Sequence, residues 1–301
     1  MKLLKVMIKQ VLLYLESHIL AIFLPRQKRR TLRRKYRWLY GKLSIDIAKG
    51  VYRQFAAFSR VKDSVEEICF GSSHAQYAYL PGDDGFNLGF GSQDLYTSYE
   101  LYRRASDAKR LKRVIIFFSV FSPGFQTENS GYREVFMFFH HFWGIPYRFH
   151  EEDYFENRQR QLNDQDATIR TIDSTGYRGE CGFGYFMTGM SKGDIKKRVQ
   201  GHLKNNVRDN GEIEYLERFL SLAEKQGHEV TLVFSPARSD YLSFCPDKQN
   251  IFAGAYAILN RHPRVRVIDL FGSSRFSDAD FGDSDHPNLA GAKKITEMLR
   301  L

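Results

Sequence analysis

The sequence predicts an α/β protein built around a mostly parallel sheet of five strands. Five short apolar runs alternate with longer segments, several of which carry helical patterns. Alternation of strands and helices favours parallel pairing, because a helix must carry the chain back before the next parallel strand begins. The predicted strands cover residues 66–70, 86–90, 113–120, 229–235 and 265–270.

Two of these runs and two intervening segments support this prediction in particular. The runs "RVIIFFSV" and "EVTLVFS" are almost continuously apolar, as expected for strands whose sheet is covered on both faces. Residues 212–227 repeat apolar side chains at i, i+3 and i+4 and end on Gly227, which is typical of a helix C-terminus. Residues 287–301 form a predicted last helix, with Pro287 near its start.

Residues 121–211 interrupt this alternation. They include the aromatic-rich stretches "VFMFFHHFWGIPYRFHEEDYF" and "GYRGECGFGYFMTG". The segment is too long for a simple loop and too aromatic for a disordered one. We therefore predict an aromatic insertion that caps the carboxyl edge of the sheet.

The N-terminal segment, residues 1–61, is predicted to be a basic amphipathic extension. Residues 1–53 hold fourteen Lys or Arg and two acidic residues, a net charge of +12, whereas the remainder of the chain carries −2. An interrupted apolar helix before Pro25 is followed by eight bases between Arg26 and Arg37. This pattern is typical of a helix that lies on an anionic membrane surface. Its apolar face is too short and too charged to span a bilayer.

Two other interpretations of this segment stay open. The helix could pack on the domain and leave a solvated basic tail, or the bases could bind nucleic acid. Because the charge is confined to one end of the chain, we do not expect a nucleic-acid partner. The three cysteines, without a CxxC spacing, indicate a reducing compartment. We thus expect a cytoplasmic protein, peripheral on the inner membrane through residues 1–40.

Two short polar stretches carry the chemistry. Ser72 and Ser73 follow the first predicted strand, and Gly71 before them permits a tight turn. Asp283 and His286 lie three residues apart in a loop after the fifth strand. The carboxyl ends of parallel strands meet at one edge of a sheet, and there a serine can be activated by a histidine that a carboxylate orients. These residues predict a Ser–His–Asp hydrolase.

The stretches "FGSSHAQ" and "DSDHPNLAGAKKIT" resemble the first and last sequence blocks of the SGNH (GDSL-like) hydrolase superfamily. The resemblance covers roughly residues 64–124 and 202–301. It implies a flavodoxin-like three-layer sandwich, and we predict one such domain over residues 62–301 with the cap as an insertion. The resemblance also implies that Ser73 is the nucleophile, His286 the base and Asp283 the residue that orients it. The stretch "GFNLGFGSQD" resembles the second block, which implies that the N–H groups of Gly91 and Ser73 form the oxyanion hole, with Gly89 as the next choice.

The third block of that superfamily contains an Asn that completes the oxyanion hole, and this chain has "FFSVFSPG" at that place. Ser119, Ser122 or Asn87 could supply the missing donor. The chain resembles bacterial SGNH-like proteins of surface-polysaccharide and cell-envelope gene clusters, some of which keep "GSSH" and lack this Asn. The resemblance implies a serine esterase or O-acyltransferase that acts on an acyl ester, in particular an acetyl ester, of a carbohydrate. The alternative is a non-catalytic SGNH-like protein of a membrane-associated polysaccharide assembly complex.

Other polar residues are weaker candidates. His74 could serve as the base, but neighbours on a turn usually point apart, and His286 is preferred. The role of His202 stays open between structural and substrate-proximal. No organic cofactor is implied. A metal is not expected either, because the spacing of the following residues matches no zinc signature. They are His140, His141, His150, Glu151, Glu152 and Asp153.

Vesicle flotation tests the prediction for the N-terminus. The full-length protein is expected to float with anionic vesicles at low salt and to be partly released at high salt, since each base near the surface contributes about 1 kcal/mol. A variant without residues 1–40 is expected to stay folded and to remain at the bottom of the flotation gradient. Full-length protein that ignores these vesicles, or a truncated protein that unfolds, would show that the segment is a packing element.

Overall fold

A computed structural model describes residues 42–149, 152–179 and 192–300, together with isolated positions before residue 42. The chain divides into two compact units, one formed by residues 1–50 and 146–172 and the other by residues 51–145 and 173–301. The second unit contains the whole sheet. Within the described parts of the chain, no helix has the length and apolarity that crossing a bilayer requires.

The sheet has five strands, all parallel, in the order β2-β1-β3-β4-β5. This is the flavodoxin-like order, with a change of direction between β1 and β3. The predicted parallel five-stranded α/β fold is therefore confirmed. The strands are β1 Glu67–Phe70, β2 Gly85–Asn87, β3 Arg113–Phe118, β4 Glu229–Phe234 and β5 Arg266–Asp269.

Helices connect the strands. In the described parts of the chain they are α1 Ile45–Val61, α2 Ser73–Ala78, α3 Leu95–Ala105, α4 Arg133–Trp143, α5 Glu152–Ile169, α6 Lys192–Asn206, α7 Glu214–Gln226, α8 Ser239–Leu242, α9 Lys248–Ile251, α10 Ala253–Leu259 and α11 Leu289–Arg300. Short 3₁₀ turns cover Lys62–Ser64 and Asp278–Asp280.

Helices cover both faces of the sheet, which explains its apolar strands. All residues of β3 after Arg113 are buried. On one face, β1, β3 and β4 pack against α2 and α11 through a cluster that includes Cys69, Ala75, Ile115, Phe117, Val233 and Ile295. On the other face, Phe70 contacts Phe219 of α7, and Phe234 contacts Tyr256 of α10. The sheet is thus the middle layer of three.

The ends of several elements differ slightly from prediction for local reasons. β2 ends at Asn87 because the Asn87 side chain accepts the N–H of Gly89, which turns the chain away from the sheet. The last helix begins at Leu289 because the Asn288 side chain accepts the N–H groups of Ala290 and Gly291. α7 ends at Gln226, and Gly227 caps it as predicted, with a left-handed φ of 74°.

Part of the predicted insertion is anchored at the carboxyl edge of the sheet. The Asn206 side chain at the end of α6 donates to the carbonyls of Val120, just beyond β3, and of Ile251. α4 is buried through its aromatic residues and packs on the segment after β2, where Phe139 contacts Phe90. α5 belongs to the other unit. The stretch "CGFGYF" lies outside the described residues, and the predicted boundaries at residues 61, 121 and 211 stay predictions.

Gly71 allows the turn that follows β1. Its φ is 137°, and an added Cβ would lie 3.0 Å from the carbonyl oxygen of Phe117. The Gly71→Ala variant is expected to lose about 3 kcal/mol of unfolding free energy in chemical denaturation, because backbone strain adds to this contact.

Gly227→Ala is the matched control, since Gly227 also has a positive φ but its added Cβ would meet nothing within 4 Å. It is expected to cost only about 1 kcal/mol, the conformational strain alone. Equal costs for the two variants would mean that the Phe117 contact does not constrain the turn.

Candidate active site

Ser72 and Ser73 play different structural roles in the turn after β1. Ser72 is the N-cap of α2, where its hydroxyl accepts the N–H of His74, and it is only 5% exposed. Ser73 is the first residue of α2 and is half-buried. The partly open serine is therefore the one that the sequence predicts as the nucleophile.

The structure brings Ser73, His286 and Asp283 into one hydrogen-bonded line. The Ser73 Oγ lies 2.8 Å from Nε2 of His286. The other ring nitrogen of His286, Nδ1, lies 2.8 Å from Oδ2 of Asp283. A carboxylate accepts only from a protonated nitrogen, so Nδ1 carries the proton and Nε2 is free to accept from the hydroxyl.

Asp283 is completely buried and held by several donors. Its Oδ1 accepts the backbone N–H of Asp285 at 2.9 Å and that of His286 at 2.7 Å. Burial by itself raises the pKa of Asp283, but the hydrogen bond and charge of His286 outweigh it, and the pKa lies below its usual value. The carboxylate is therefore ionised at neutral pH and able to orient the imidazole.

His74 does not face Ser73. Its Nδ1 lies 3.1 Å from the hydroxyl of Ser72, and its Nε2 lies 3.1 Å from Oδ2 of Asp285. This geometry favours His286 as the base for Ser73. The sequence analysis assigned no role to Asp285, although it lies inside the "DSDH" stretch, and no sequence signal pointed to its partner Arg198.

The two glycines predicted as oxyanion donors, Gly91 and Gly89, lie in the segment after β2. The N–H of Phe90 donates to the carbonyl of Gly71, which places Gly91 beside the turn that carries Ser73. The carbonyl of Ser92, the one described non-glycine residue with a positive φ, accepts the Thr127 hydroxyl at 2.5 Å. The N–H of Gly89 already donates to the Asn87 side chain, so Gly91 is the better placed of the two glycines.

Asn87 has a structural role in this arrangement. Its side-chain nitrogen donates to the carbonyls of Ala75, Gln76 and Tyr79, at 2.9, 3.3 and 3.0 Å. Both amide hydrogens are directed at the backbone of α2, which argues against the predicted oxyanion role. The side chain instead ties β2 to the helix that begins with Ser73.

The two alternative donors after β3 also have partners. The hydroxyl of Ser122 accepts the N–H of Ser119 at 2.9 Å, and the hydroxyl of Ser119 lies 3.3 Å from that of Ser235. Both serines are buried. Their hydroxyls therefore brace the ends of β3 and β4.

His202 is a half-buried residue beside the site. Its Nδ1 lies 2.8 Å from the hydroxyl of Tyr241 and 4.0 Å from Asp285. Burial lowers the pKa of His202 to about 3, despite the opposing charge of Asp285. His202 is therefore neutral at physiological pH.

Among the residues considered for a metal, the structure describes the side chains of His140 and His141. Nδ1 of His140 pairs with the carbonyl of Ile145, and the ring of His141 lies against Phe142. His150 and Glu151 lie outside the described residues, as do the side chains of Glu152 and Asp153.

One described group has ligand atoms within 4.8 Å of one another, namely His74, Asp285 and His286. All three already have hydrogen-bond partners in the protein: Ser72 for His74, Arg198 for Asp285, and Ser73 with Asp283 for His286. Their grouping is thus explained without an ion.

Comparisons with known proteins give distant likenesses only. No protein-family model matches the chain, and no curated protein matches it. A candidate acylhydrolase from Bacteroides fragilis is 11% identical, with 78% of this chain and 84% of that chain covered and a TM-score of 0.38. A Streptococcus pneumonia protein described as a candidate platelet activating factor is also 11% identical, with coverage of 90% and 97% and a TM-score of 0.43. Similarity at these values assigns neither a family nor an activity to this chain.

Substitution of Asn87 separates the two roles considered for it. The Asn87→Ala variant is expected to lose at least about 2 kcal/mol of unfolding free energy, because three buried carbonyls lose their donor. Labelling of the folded fraction by a fluorophosphonate, which reacts with activated serines, is expected to stay within about threefold of wild type. A side-chain donor to the oxyanion is worth about 10²–10³ in rate. A loss of that size at unchanged stability would restore the oxyanion assignment.

Proposed function

We propose that this protein is a serine hydrolase or acyltransferase that cleaves an oxygen ester through an acyl-enzyme at Ser73. The observation that carries the proposal is the hydrogen-bonded line from Ser73 through His286 to the buried Asp283. A serine hydroxyl is a poor nucleophile alone, and this arrangement is the common way to activate it.

The reaction proceeds in two acyl-transfer steps. The Ser73 Oγ attacks the ester carbonyl carbon while its proton moves to Nε2 of His286. The C–O bond to the leaving alcohol then breaks, and His286 returns the proton to that oxygen. In the second step, water or an acceptor hydroxyl attacks the acyl-enzyme, His286 takes its proton, and Ser73 is released. Throughout, Asp283 holds Nδ1 and stabilises the transient imidazolium.

The negative charge on the carbonyl oxygen requires hydrogen-bond donors. In this proposal the backbone N–H groups of Ser73 and Gly91 supply them, because the segment with Gly91 is hydrogen-bonded to the turn before Ser73. No side-chain amide is assigned to the hole, since Asn87 is engaged elsewhere. Losing one donor costs about 10²–10³ in rate, so a slow enzyme is expected.

The substrate class rests on the sequence resemblance. We propose an acyl ester of a carbohydrate, in particular an acetyl ester, with water or a sugar hydroxyl as the acceptor. The aromatic side chains of α4 give no further support, since Phe136, Phe138 and Phe139 are fully buried and belong to the core. Tyr77 is half-buried, and its ring lies edge-on to that of His286 with 5.6 Å between the ring centroids.

A non-catalytic role in a membrane-associated polysaccharide assembly complex is the second candidate. It is favoured by the lack of an Asn after β3. In either case we propose attachment to an anionic membrane surface through residues 1–40, nearly all of which lie outside the described residues.

Covalent labelling with a fluorophosphonate distinguishes the two candidates. Wild-type protein is expected to react at one serine, and Ser73→Ala is expected to abolish both labelling and turnover of 4-nitrophenyl acetate. Ser72→Ala, the neighbouring control, removes a cap worth about 1 kcal/mol and is expected to retain substantial reactivity. An unreactive wild type supports the non-catalytic candidate, whereas an active Ser73→Ala variant with an inactive Ser72→Ala variant would reverse the two serine assignments.

A further inference from the structure

A second hydrogen-bonded line runs beside the first. It joins Ser72, His74 and Asp285, with 3.1 Å at each of its two contacts. Its serine precedes Ser73 in the same turn, and its carboxylate lies in the same loop as Asp283. All three of its residues are buried. A buried polar line with every member paired fixes the orientation of its side chains.

Asp285 is the anchor of this second line. Its two oxygens accept from Nε of Arg198 at 2.6 Å and from Nη2 at 3.0 Å, and the hydroxyl of Ser284 donates at 2.8 Å. Burial alone raises the pKa of Asp285, but the charges and hydrogen bonds of His286, His74 and Arg198 hold it well below its usual range. The buried Asp285 and the half-buried Arg198 therefore form an ion pair that is neutral as a whole.

The ring of His74 packs against the ring of His286. The two imidazole centroids are 4.8 Å apart with an interplanar angle of 30°, while the ring of Tyr77 meets His286 edge-on. Burial lowers the pKa of His74, although its hydrogen bond to Asp285 opposes this effect. A neutral His74 can lie against the imidazolium that forms during acyl transfer without charge repulsion.

Arg198 lies on helix α6 and connects this helix, through Asp285, to His74. The same helix is fixed to the rest of its unit by His202, which pairs with Tyr241, and by Asn206, which donates beyond β3. The bidentate contact between Arg198 and Asp285 thus links the position of α6 to the loop that carries His286.

We propose that Arg198, Asp285 and His74 form a positioning assembly that holds the His286 imidazole in place. Within it, the charges of Arg198 and Asp285 balance each other, so that His286 lies beside a neutral group of side chains. This inference rests on the proposed function, because it assigns to His286 the role of base. Arg198 and Asp285 act through other residues and touch no reacting atom. The titratable and charged groups that face His286 are His74 and Tyr77 from α2, Asp283 and Asp285 from its own loop, and His202 from α6. Arg198 of α6 pairs with Asp285.

The test is the pH dependence of fluorophosphonate labelling in the full-length protein. Labelling falls at low pH when the base is protonated, so its acid limb reports the charge around His286. Asp285→Asn leaves the Arg198 cation unbalanced, which disfavours protonation of the base. The acid limb is expected to move to lower pH by about one unit. The double variant Arg198→Gln/Asp285→Asn removes both charges, and its limb is expected to return to within about 0.3 units of wild type.

Arg113→Gln is the matched control, since Arg113 pairs with Glu67 at the opposite end of the sheet. Its profile is expected to coincide with that of wild type. The inference is overturned if the acid limb of Asp285→Asn lies at the same pH as that of wild type, or if the limb of the double variant is displaced as far as that of Asp285→Asn. Failure of the proposed function is a different result, namely a wild type that does not label at any pH.

His74→Gln provides a second test if Asp285→Asn does not fold, because a half-buried Arg198 that loses its partner is destabilising. The glutamine can keep hydrogen bonds to Ser72 and Asp285 but removes the ring beneath His286. At the plateau pH, labelling is expected to fall at least about tenfold while thermal unfolding stays within a few degrees of wild type. Labelling at the wild-type rate would show that the ring does not position His286 and would overturn the inference.

Discussion

The contact between His286 and Asp283 is the interaction on which the proposed site depends. Asp283 accepts hydrogen bonds from both the ring Nδ1–H and the backbone N–H of His286, so one carboxylate sets the orientation of the ring and the shape of the loop. The loop is closed by an isolated bridge between Phe281 and Pro287 and by the N–H of Gly282, which donates to the carbonyl of His286. The imidazole therefore reaches Ser73 from a rigid support.

This loop concentrates acidic residues, and the structure gives each one its own partner. Asp280 pairs with Lys294 of α11, Asp283 with His286, and Asp285 with Arg198 of α6. Removing one partner would leave a charge unpaired in a poorly solvated place, which is costly. Because these partners come from α11, from α6 and from the loop itself, the loop is held at several points. Asp280 and Asp285 pair with cations elsewhere, so Asp283 is the carboxylate that pairs with Nδ1 of His286.

Polar side chains perform a similar task beneath Ser73. Asn87 ties the end of β2 to the backbone of α2, and the Gln54 side chain donates to the carbonyls of Asn87 and Gly89. Both side chains are fully buried. Together they fix the segment that leads to Gly91 relative to the turn with Ser73. These buried amides thus bind backbone and not substrate.

The sequence by itself determined what depends on neighbouring residues. Apolar runs marked the five strands, Gly227 marked a helix end, and the Asp-x-x-His spacing brought Asp283 onto the ring of His286, because these effects act within a few residues. Only the tertiary structure decided that the side chains of Ser73 and His286, 213 positions apart in sequence, meet. The parallel sheet brings their loops to one edge, but the role of Asn87, the partner of His74 and the arrival of Arg198 from α6 depend on packing between distant segments. Such contacts leave no local pattern, since the hydrogen-bonding capacity of a side chain does not specify its partner.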